Sequence, residues 1–346
     1  MASFRGARCL ASSRRTVGTF SCSFLAADAS RTSAQFCWLG GLPRRRTQFS
    51  TSAGQELGAG SSVRQNAALT GRVAIVTGAS SGIGFAVSQA LAFQGMTVVM
   101  ASRSAGKLEE AAAKIPGAVP VTCDVVDRSS VHDTIEKVVG RFGRVDLIVN
   151  CAGVMYFTLM RNLHYKEWDS TIATNCNGVV NMCGAALPHM LKVRRGHIVN
   201  ISSDAAKQVF PALAVYNASK AFVNVFSKSL RAECVGTGIR VTDIQPGDTA
   251  TNLLMQNTDQ EAATKVGVGI GLTIGTGFDR NAFLDPDDVA AAVIYAVTAP
   301  AHVGVHEILI EPRDQMFGDP TAMGVLTEGM YGEAAEVGDD KGDEGL

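Results

Sequence analysis

From Arg72 onward, short apolar runs alternate with stretches of helical spacing, and that alternation restricts the chain to one kind of architecture. The runs are RVAIVT (72–77), MTVVMA (96–101), AVPVTCD (118–124), VDLIVN (145–150), GHIVNIS (196–202), IRVTDIQ (239–245) and HEILI (306–310). A strand with one wet face alternates apolar and polar residues. Blocks as apolar as these are buried on both faces, as in a parallel sheet covered by helices. Between them, SAGKLEEAAAKI (104–115) and SSVHDTIEKVVGRFG (129–143) repeat with helical period. Repeated βα units predict a single doubly wound α/β domain over residues 70–315, with about seven parallel strands.

At 346 residues and 46% hydrophobic composition, the chain has enough apolar material for such a core. A formal net charge of −1 argues against a nucleic-acid partner. The charge is nevertheless divided. Residues 1–50 hold eight arginines against Asp28 alone, without Lys or Glu, and residues 317–346 hold eight acids against Lys341. The first segment reads as an organelle-targeting extension over 1–60. Dense arginine and RRRTQFSTSAG (44–54) favour the mitochondrion, with the plastid as the alternative, or the cytoplasm if the extension is no signal. Residues 316–346 read as a solvated acidic, Gly-rich tail. Residues 251–283 break the βα rhythm and read as a mobile loop, either filler or a lid over substrate. No apolar run reaches the roughly 18–20 residues of a membrane span. The eight cysteines show no CxxC spacing and the six histidines form no cluster, so free thiols and no metal site are expected.

VAIVTGASSGIG (73–84) places Gly78, Gly82 and Gly84 after the first strand and at the start of a helix. A dinucleotide pyrophosphate must approach bare N–H groups at a helix N-terminus, and side chains there would block it. Ser80, Ser81 and Ile83 belong to the same turn and are assigned to the cofactor with it. An acid ending the second strand would bind the ribose of NAD and repel a 2′-phosphate. This chain has Ser102 and Arg103 there, a hydroxyl and a guanidinium that suit NADP. Asp124 and Val125 end the third strand, where adenine would lie. Asn150, Ala152 and Gly153 end the fourth, beside the cofactor's middle.

YNASK (216–220) sets a phenol and an amine at i and i+4, on one side of a helix. Ala218, Ala221, Phe222, Val225, Phe226 and Leu230 recur at three and four places and predict that helix's buried side. Together with TGASSGIG (77–84), CDV (123–125), NCAG (150–153), ATNCNG around Asn175, NISS (200–203) and QPGDTAT (245–251), the stretch resembles the short-chain dehydrogenase/reductase family, whose domain has the Rossmann fold. The resemblance covers about residues 70–315. It implies that Tyr216 is the general acid/base, that Ser203 binds the substrate oxygen, that Lys220 grips the nicotinamide ribose, and that Asn175 holds a water of the proton relay. It implies Ser203 rather than Ser202, because the family separates this serine from its tyrosine by 13 residues, as Ser203 and Tyr216 are separated here. Thr251 would contact the nicotinamide carboxamide, Pro246 and Gly247 would turn the chain beside it, and Thr249 falls in the same stretch. A free phenol titrates near pH 10, so a neighbouring ammonium and the oxidised nicotinamide are expected to lower Tyr216 toward neutrality.

Within the family, NCAGVMYFTLM (150–160), VNISSDA (199–205), IQPGDTATNL (244–253) and HEILIEPRD (306–314) resemble NADP-dependent 3-hydroxy acid, serine and clavulanate-type aldehyde dehydrogenases. That implies a small hydroxy acid or aldehyde as substrate. The alternative within the family is 3-oxoacyl-carrier-protein reductase, which usually ends in a VNGG-like turn where this chain has EILIEPR. The alternative from another class is an NADP-binding redox sensor or scaffold without turnover. The resemblance also implies a homodimer or homotetramer built on long helices at about 165–192 and 213–234. Specificity is expected from residues 155–165, from the side chains after Ser203 and from 251–283.

Overall fold

Side chains along a strand point alternately up and down, so uniformly apolar strands require a covering layer on each side. The computed structural model, which describes residues 69–266 and 283–315, has both layers. Seven parallel strands, β1 (Val73–Thr77), β2 (Thr97–Ser102), β3 (Val119–Thr122), β4 (Leu147–Asn150), β5 (Gly196–Ile201), β6 (Ile239–Pro246) and β7 (Glu307–Ile310), lie in the order β3-β2-β1-β4-β5-β6-β7. This is the Rossmann-type doubly wound sheet that the apolar blocks predict. The helices are α1 (Gly82–Phe93), α2 (Ala105–Ala112), α3 (Arg128–Phe142), α4 (Tyr165–Thr171), α5 (Gly178–Val193), α6 (Ala214–Glu233), α7 (Gln260–Lys265) and α8 (Pro286–Thr298).

One sheet face sends Ala74 and Val76 against Val87 and Leu91 of α1 and Val289 and Val293 of α8. The other sends Val73 and Ile75 against Ile135 of α3, Met182 of α5 and Val223 of α6. Local chemistry starts the helices where the sequence turns. The Asp127 carboxylate accepts from the Ser129 N–H at 2.9 Å to open α3, and Asp285 and Asp288 form a reciprocal capping box around Pro286 to open α8. Strand order reverses between β1 and β4, which leaves a crevice at the carboxyl ends of those strands.

Three expectations are revised. The side of α6 that packs on the protein is mixed: Leu230 is buried as expected, and Val223 with it, but so are Tyr216, Ser219, Lys220, Asn224 and Ser227, while Ala218, Phe222 and Val225 are exposed. The polar residues win because each finds a partner. Asn224 donates to Asp243 (2.7 Å), Asn200 donates to Ser227 (2.8 Å), and Lys220 donates to the Ile201 carbonyl (3.0 Å). The single long helix expected at 165–192 is two, α4 and α5, joined by a π-turn over Ile172–Asn177. The start of the expected loop at 251–283 is ordered into a 3₁₀ turn (Asn252–Met255) and α7. Its polar residues are structural: Asn257 accepts from the Phe157 N–H (3.0 Å), and Asp259 accepts from the N–H groups of Leu159 (2.9 Å) and Ala262 (3.0 Å). The expected targeting extension at 1–60, the Gly-rich part of the expected loop at 267–282 and the expected acidic tail at 316–346 lie outside the described residues.

His197 gives the fold an acid-sensitive point. The Thr242 hydroxyl donates to the Val305 carbonyl (2.6 Å), so Thr242 accepts from His197 Nε2 (2.8 Å) and leaves Nδ1 bare and buried. Burial, then the charge of Arg240, pulls the imidazole down to about 3 from its ordinary 6.5. The native state thus refuses a proton that the unfolded chain accepts, and the stability this histidine contributes is complete above pH 6.5 and lost as pH falls toward 3. Thermal unfolding between pH 7 and 4 is expected to show the wild type losing stability faster than His197→Gln; parallel losses would remove His197 from the account.

Candidate active site

Thr77 closes β1 at the reversal of strand order. Its hydroxyl oxygen accepts from the N–H groups of Cys151 and Ala152, both at 3.1 Å, and so fixes the end of β4 beside the end of β1. Gly78 follows with φ of +64°, and a Cβ there would lie 2.9 Å from Ala152 Cα. A Cβ on Gly84 would strike the carbonyl oxygen of Gly78. Only glycine lets α1 begin this close to the strand, and the N–H groups at its start are left bare. A cavity of about 360 Å³ opens above them, bordered by Gly78, Ser80, Ser81, Gly82, Ile83 and Gly84. It continues past Ser102 and Arg103 at the end of β2, Asp124 and Val125 after β3, and Ala152 and Gly153 after β4. The Ser102 hydroxyl donates to Ser80 Oγ at 3.1 Å, which ties the second strand to the glycine turn. A turn that admits no Cβ at Gly78 or Gly84, leading to a guanidinium with no acid at the tip of β2, fits a nicotinamide dinucleotide.

A second cavity of about 340 Å³ adjoins the first, and Gly153 and Thr251 border both. Ser203, Tyr216 and Lys220 meet in it, and Pro246, Gly247 and Thr249 also border it. Ser203 caps the short 3₁₀ turn Asp204–Ala206 and donates to Asp204 Oδ1 at 2.7 Å, while its oxygen accepts from the Ala205 N–H at 3.1 Å. It also hydrogen-bonds the Tyr216 phenol, whereas Ser202 turns toward the Ile244 carbonyl. Lys220 lies one helical turn on, its ammonium 5.6 Å from the centre of the Tyr216 ring.

Asn175 and Asn150 border neither cavity. Asn175 sits in the π-turn, where its carboxamide accepts from the Val154 N–H (2.9 Å) and donates to the Val154 carbonyl and to Ser219 Oγ (both 3.0 Å). It braces the wall behind Lys220. Asn150 is turned into the sheet and donates to Asn200 at 2.8 Å. Sequence reasoning missed Lys107, Thr174 and Asn252, which border the first cavity. Lys107 was legible in principle, since it lies in the first turn of a helix that starts beside Arg103.

Burial dominates the electrostatics here. It pushes the Tyr216 phenol up; the Ser203 hydrogen bond opposes that rise, and the charges of Asp204 and Asp248 add to it. The protein's own residues therefore hold the proton on Tyr216, and Lys220 alone does not lower it as expected. Lys220 is brought down to about 8 by burial, with the negative charge of Asp243 opposing. Asp248 is pushed up to about 6, first by burial and then by the charge of Asp204, although the residue keeps solvent contact. Cys151, where the cavities meet, is driven up to about 12 by burial against the pull of Lys220, which makes it a poor nucleophile. Among the described residues no group of His, Cys, Asp or Glu is arranged to hold a metal ion, and no helix is long and apolar enough to cross a membrane.

Residues 72–262 match the family described as short chain dehydrogenase. The chain is 48% identical over 251 residues to the glycine betaine reductase of Emericella nidulans; the match takes in 71% of this chain and 19% of that much longer protein. It is 35% identical over 243 residues to an uncharacterized oxidoreductase of Staphylococcus epidermidis, covering 70% of this chain and 97% of the relative. Among solved structures it resembles the closed form of a serine dehydrogenase complexed with NADP+, with a TM-score of 0.63, 30% identity, and coverage of 71% of this chain and 97% of that one. With a matching domain, a matching sheet and near full-length oxidoreductase relatives, the chain belongs to the short-chain dehydrogenase family and is an oxidoreductase.

Proposed function

We propose that this protein interconverts a small carbonyl compound and the corresponding alcohol with NADP(H), using Tyr216, Ser203, Lys220 and Asn175. The observation that carries the reading is the meeting of Ser203, Tyr216 and Lys220 in the second cavity, which shares Gly153 and Thr251 with the first. The residues of the first cavity, with Gly153 on the border it shares with the second, would hold a nicotinamide dinucleotide, which would supply or accept the hydride. In the reducing direction Ser203 and the Tyr216 hydroxyl hold the substrate oxygen, and as the carbonyl carbon takes the hydride, Tyr216 releases its proton to that oxygen. The ammonium of Lys220 then stabilises the phenolate left behind until it is reprotonated from solvent. Asn175 keeps the Val154 backbone and α6 at a fixed spacing, so that the proton donor and the ammonium share one wall.

For the cofactor, Arg103 and Lys107 border the first cavity near the end of β2, where two cations can share a 2′-phosphate. The NADP+ complex of the related serine dehydrogenase supports that preference. NADPH oxidation by the wild type with a panel of small aldehydes, ketones and 3-oxo acids tests the activity. Arg103→Ala is expected to raise the KM for NADPH about tenfold or more while the KM for NADH stays nearly constant. A wild type that binds NADPH yet turns over no member of the panel overturns the enzymatic reading; one that prefers NADH overturns the reading of Arg103.

A further inference from the structure

The charges in the substrate cavity are unbalanced. Among the described residues bordering it, Asp204 and Asp248 are acids and Lys220 is the one base. Lys220 is already engaged by the Ile201 carbonyl at 3.0 Å. Neither acid forms an ion pair among the described residues. Both are held at the same wall by one carboxamide. Gln315 Nε2 donates to Asp204 Oδ2 at 2.6 Å, while Gln315 Oε1 accepts from the Asp248 N–H at 2.9 Å. The two carboxylates differ in what remains open to a ligand. Asp204 is buried, with both oxygens occupied by Ser203, Ala205 and Gln315. Asp248 is exposed, and no described residue donates a hydrogen bond to its carboxylate.

The remaining walls are apolar and partly aromatic: Met155, Phe157, Phe210, Leu213 and Phe283. A ring face attracts a cation, and the attraction grows when the cation sheds water. Acids without counter-ions, in a cavity also bordered by aromatic rings, make a site for a positive charge clothed in carbon. Such a site repels a carboxylate. We propose that the substrate is a small aldehyde or alcohol bearing an N-alkylated ammonium group, held by Asp248 with the field of Asp204 behind it, rather than an anionic hydroxy acid.

The inference rests on the proposed carbonyl chemistry, and its test separates the two. With NADPH saturating, kcat/KM is measured for trimethylammonio-acetaldehyde, for its uncharged isostere 3,3-dimethylbutanal, and for the anionic aldehyde glyoxylate. The cationic aldehyde is expected to exceed the isostere by about tenfold or more, with glyoxylate poorest. Asp248→Asn is expected to shrink the cation-to-isostere ratio severalfold. An isostere or an anion used as well as the cation overturns the inference, as does a ratio unchanged by Asp248→Asn. Should no aldehyde turn over, choline titrated into the NADP+-loaded protein still reads the site. Binding weakened by Asp248→Asn sustains the cation site while the reductase reading fails; no heat of binding at millimolar choline overturns it.

Discussion

Tyr216→Phe is expected to lower kcat by about 10²–10⁴-fold and to leave the affinity for NADPH nearly unchanged. The substitution removes one hydroxyl from a ring that is 7% exposed and keeps its shape, so the packing of α6 persists. Ser203 is not orphaned by it, because its hydroxyl keeps Asp204 Oδ1 and the Ala205 N–H. What disappears is the proton. Burial and the charges of Asp204 and Asp248 keep that proton on the phenol, which suits Tyr216 to donate to a developing alkoxide. Fluorescence titration with NADPH and single-turnover kinetics on the same preparation check the split. A variant within about tenfold of wild-type kcat would transfer the proton-donor role to another group.

Lys220→Met is expected to cost about 10²–10³-fold in turnover and yet to make the nucleotide-free protein harder to unfold. The ammonium is buried and its pKa falls to about 8 from 10.5, so keeping it charged in the fold costs on the order of 3 kcal/mol at neutral pH. Methionine fills similar space without that cost. It leaves the Ile201 carbonyl without its donor, which takes back about 1 kcal/mol of the gain. The sign of the pH dependence follows from proton counts. Between pH 8 and 10.5 the unfolded chain holds a proton on this lysine that the native state has released. Wild-type stability therefore rises relative to the variant across that window. Melting temperatures of both proteins from pH 7 to 10 are expected to differ most at pH 7 and to converge upward. A variant that melts lower at every pH would mean that the ammonium holds the fold together instead of burdening it.

What could be read from the sequence was whatever depends on near neighbours along the chain. Seven largely apolar blocks specified a covered parallel sheet because its central strands are buried on both faces, although the edge strands β3 and β7 keep exposed positions. The glycine turn announced itself because Gly78 and Gly84 sit where any Cβ meets backbone. Failures arose where distant residues decide. The burial of α6 was only partly legible because Asn224, Ser227 and Lys220 find partners on β5 and β6 that no helical period reveals. Asn257 and Asp259 fall in a stretch that reads as a mobile loop, but they satisfy backbone groups about 100 residues away at Phe157 and Leu159. The Gln315 link to Asp204 spans 111 residues, so the charge of the substrate cavity was equally out of reach.

The π-turn at Ile172–Asn177 restricts how the gene can vary. A π-turn carries one more residue than the α-helical path it interrupts, and one residue of α-helix turns the chain by about 100°. Loss of a single codon within 172–177 would let α4 and α5 fuse into one regular rod, and α4 would swing around that axis. Asn175 would then lose the Val154 backbone. Regular i to i+4 hydrogen bonding favours the shortened sequence while the wall behind Lys220 forbids it, so insertions and deletions accepted in the surface connections are excluded here.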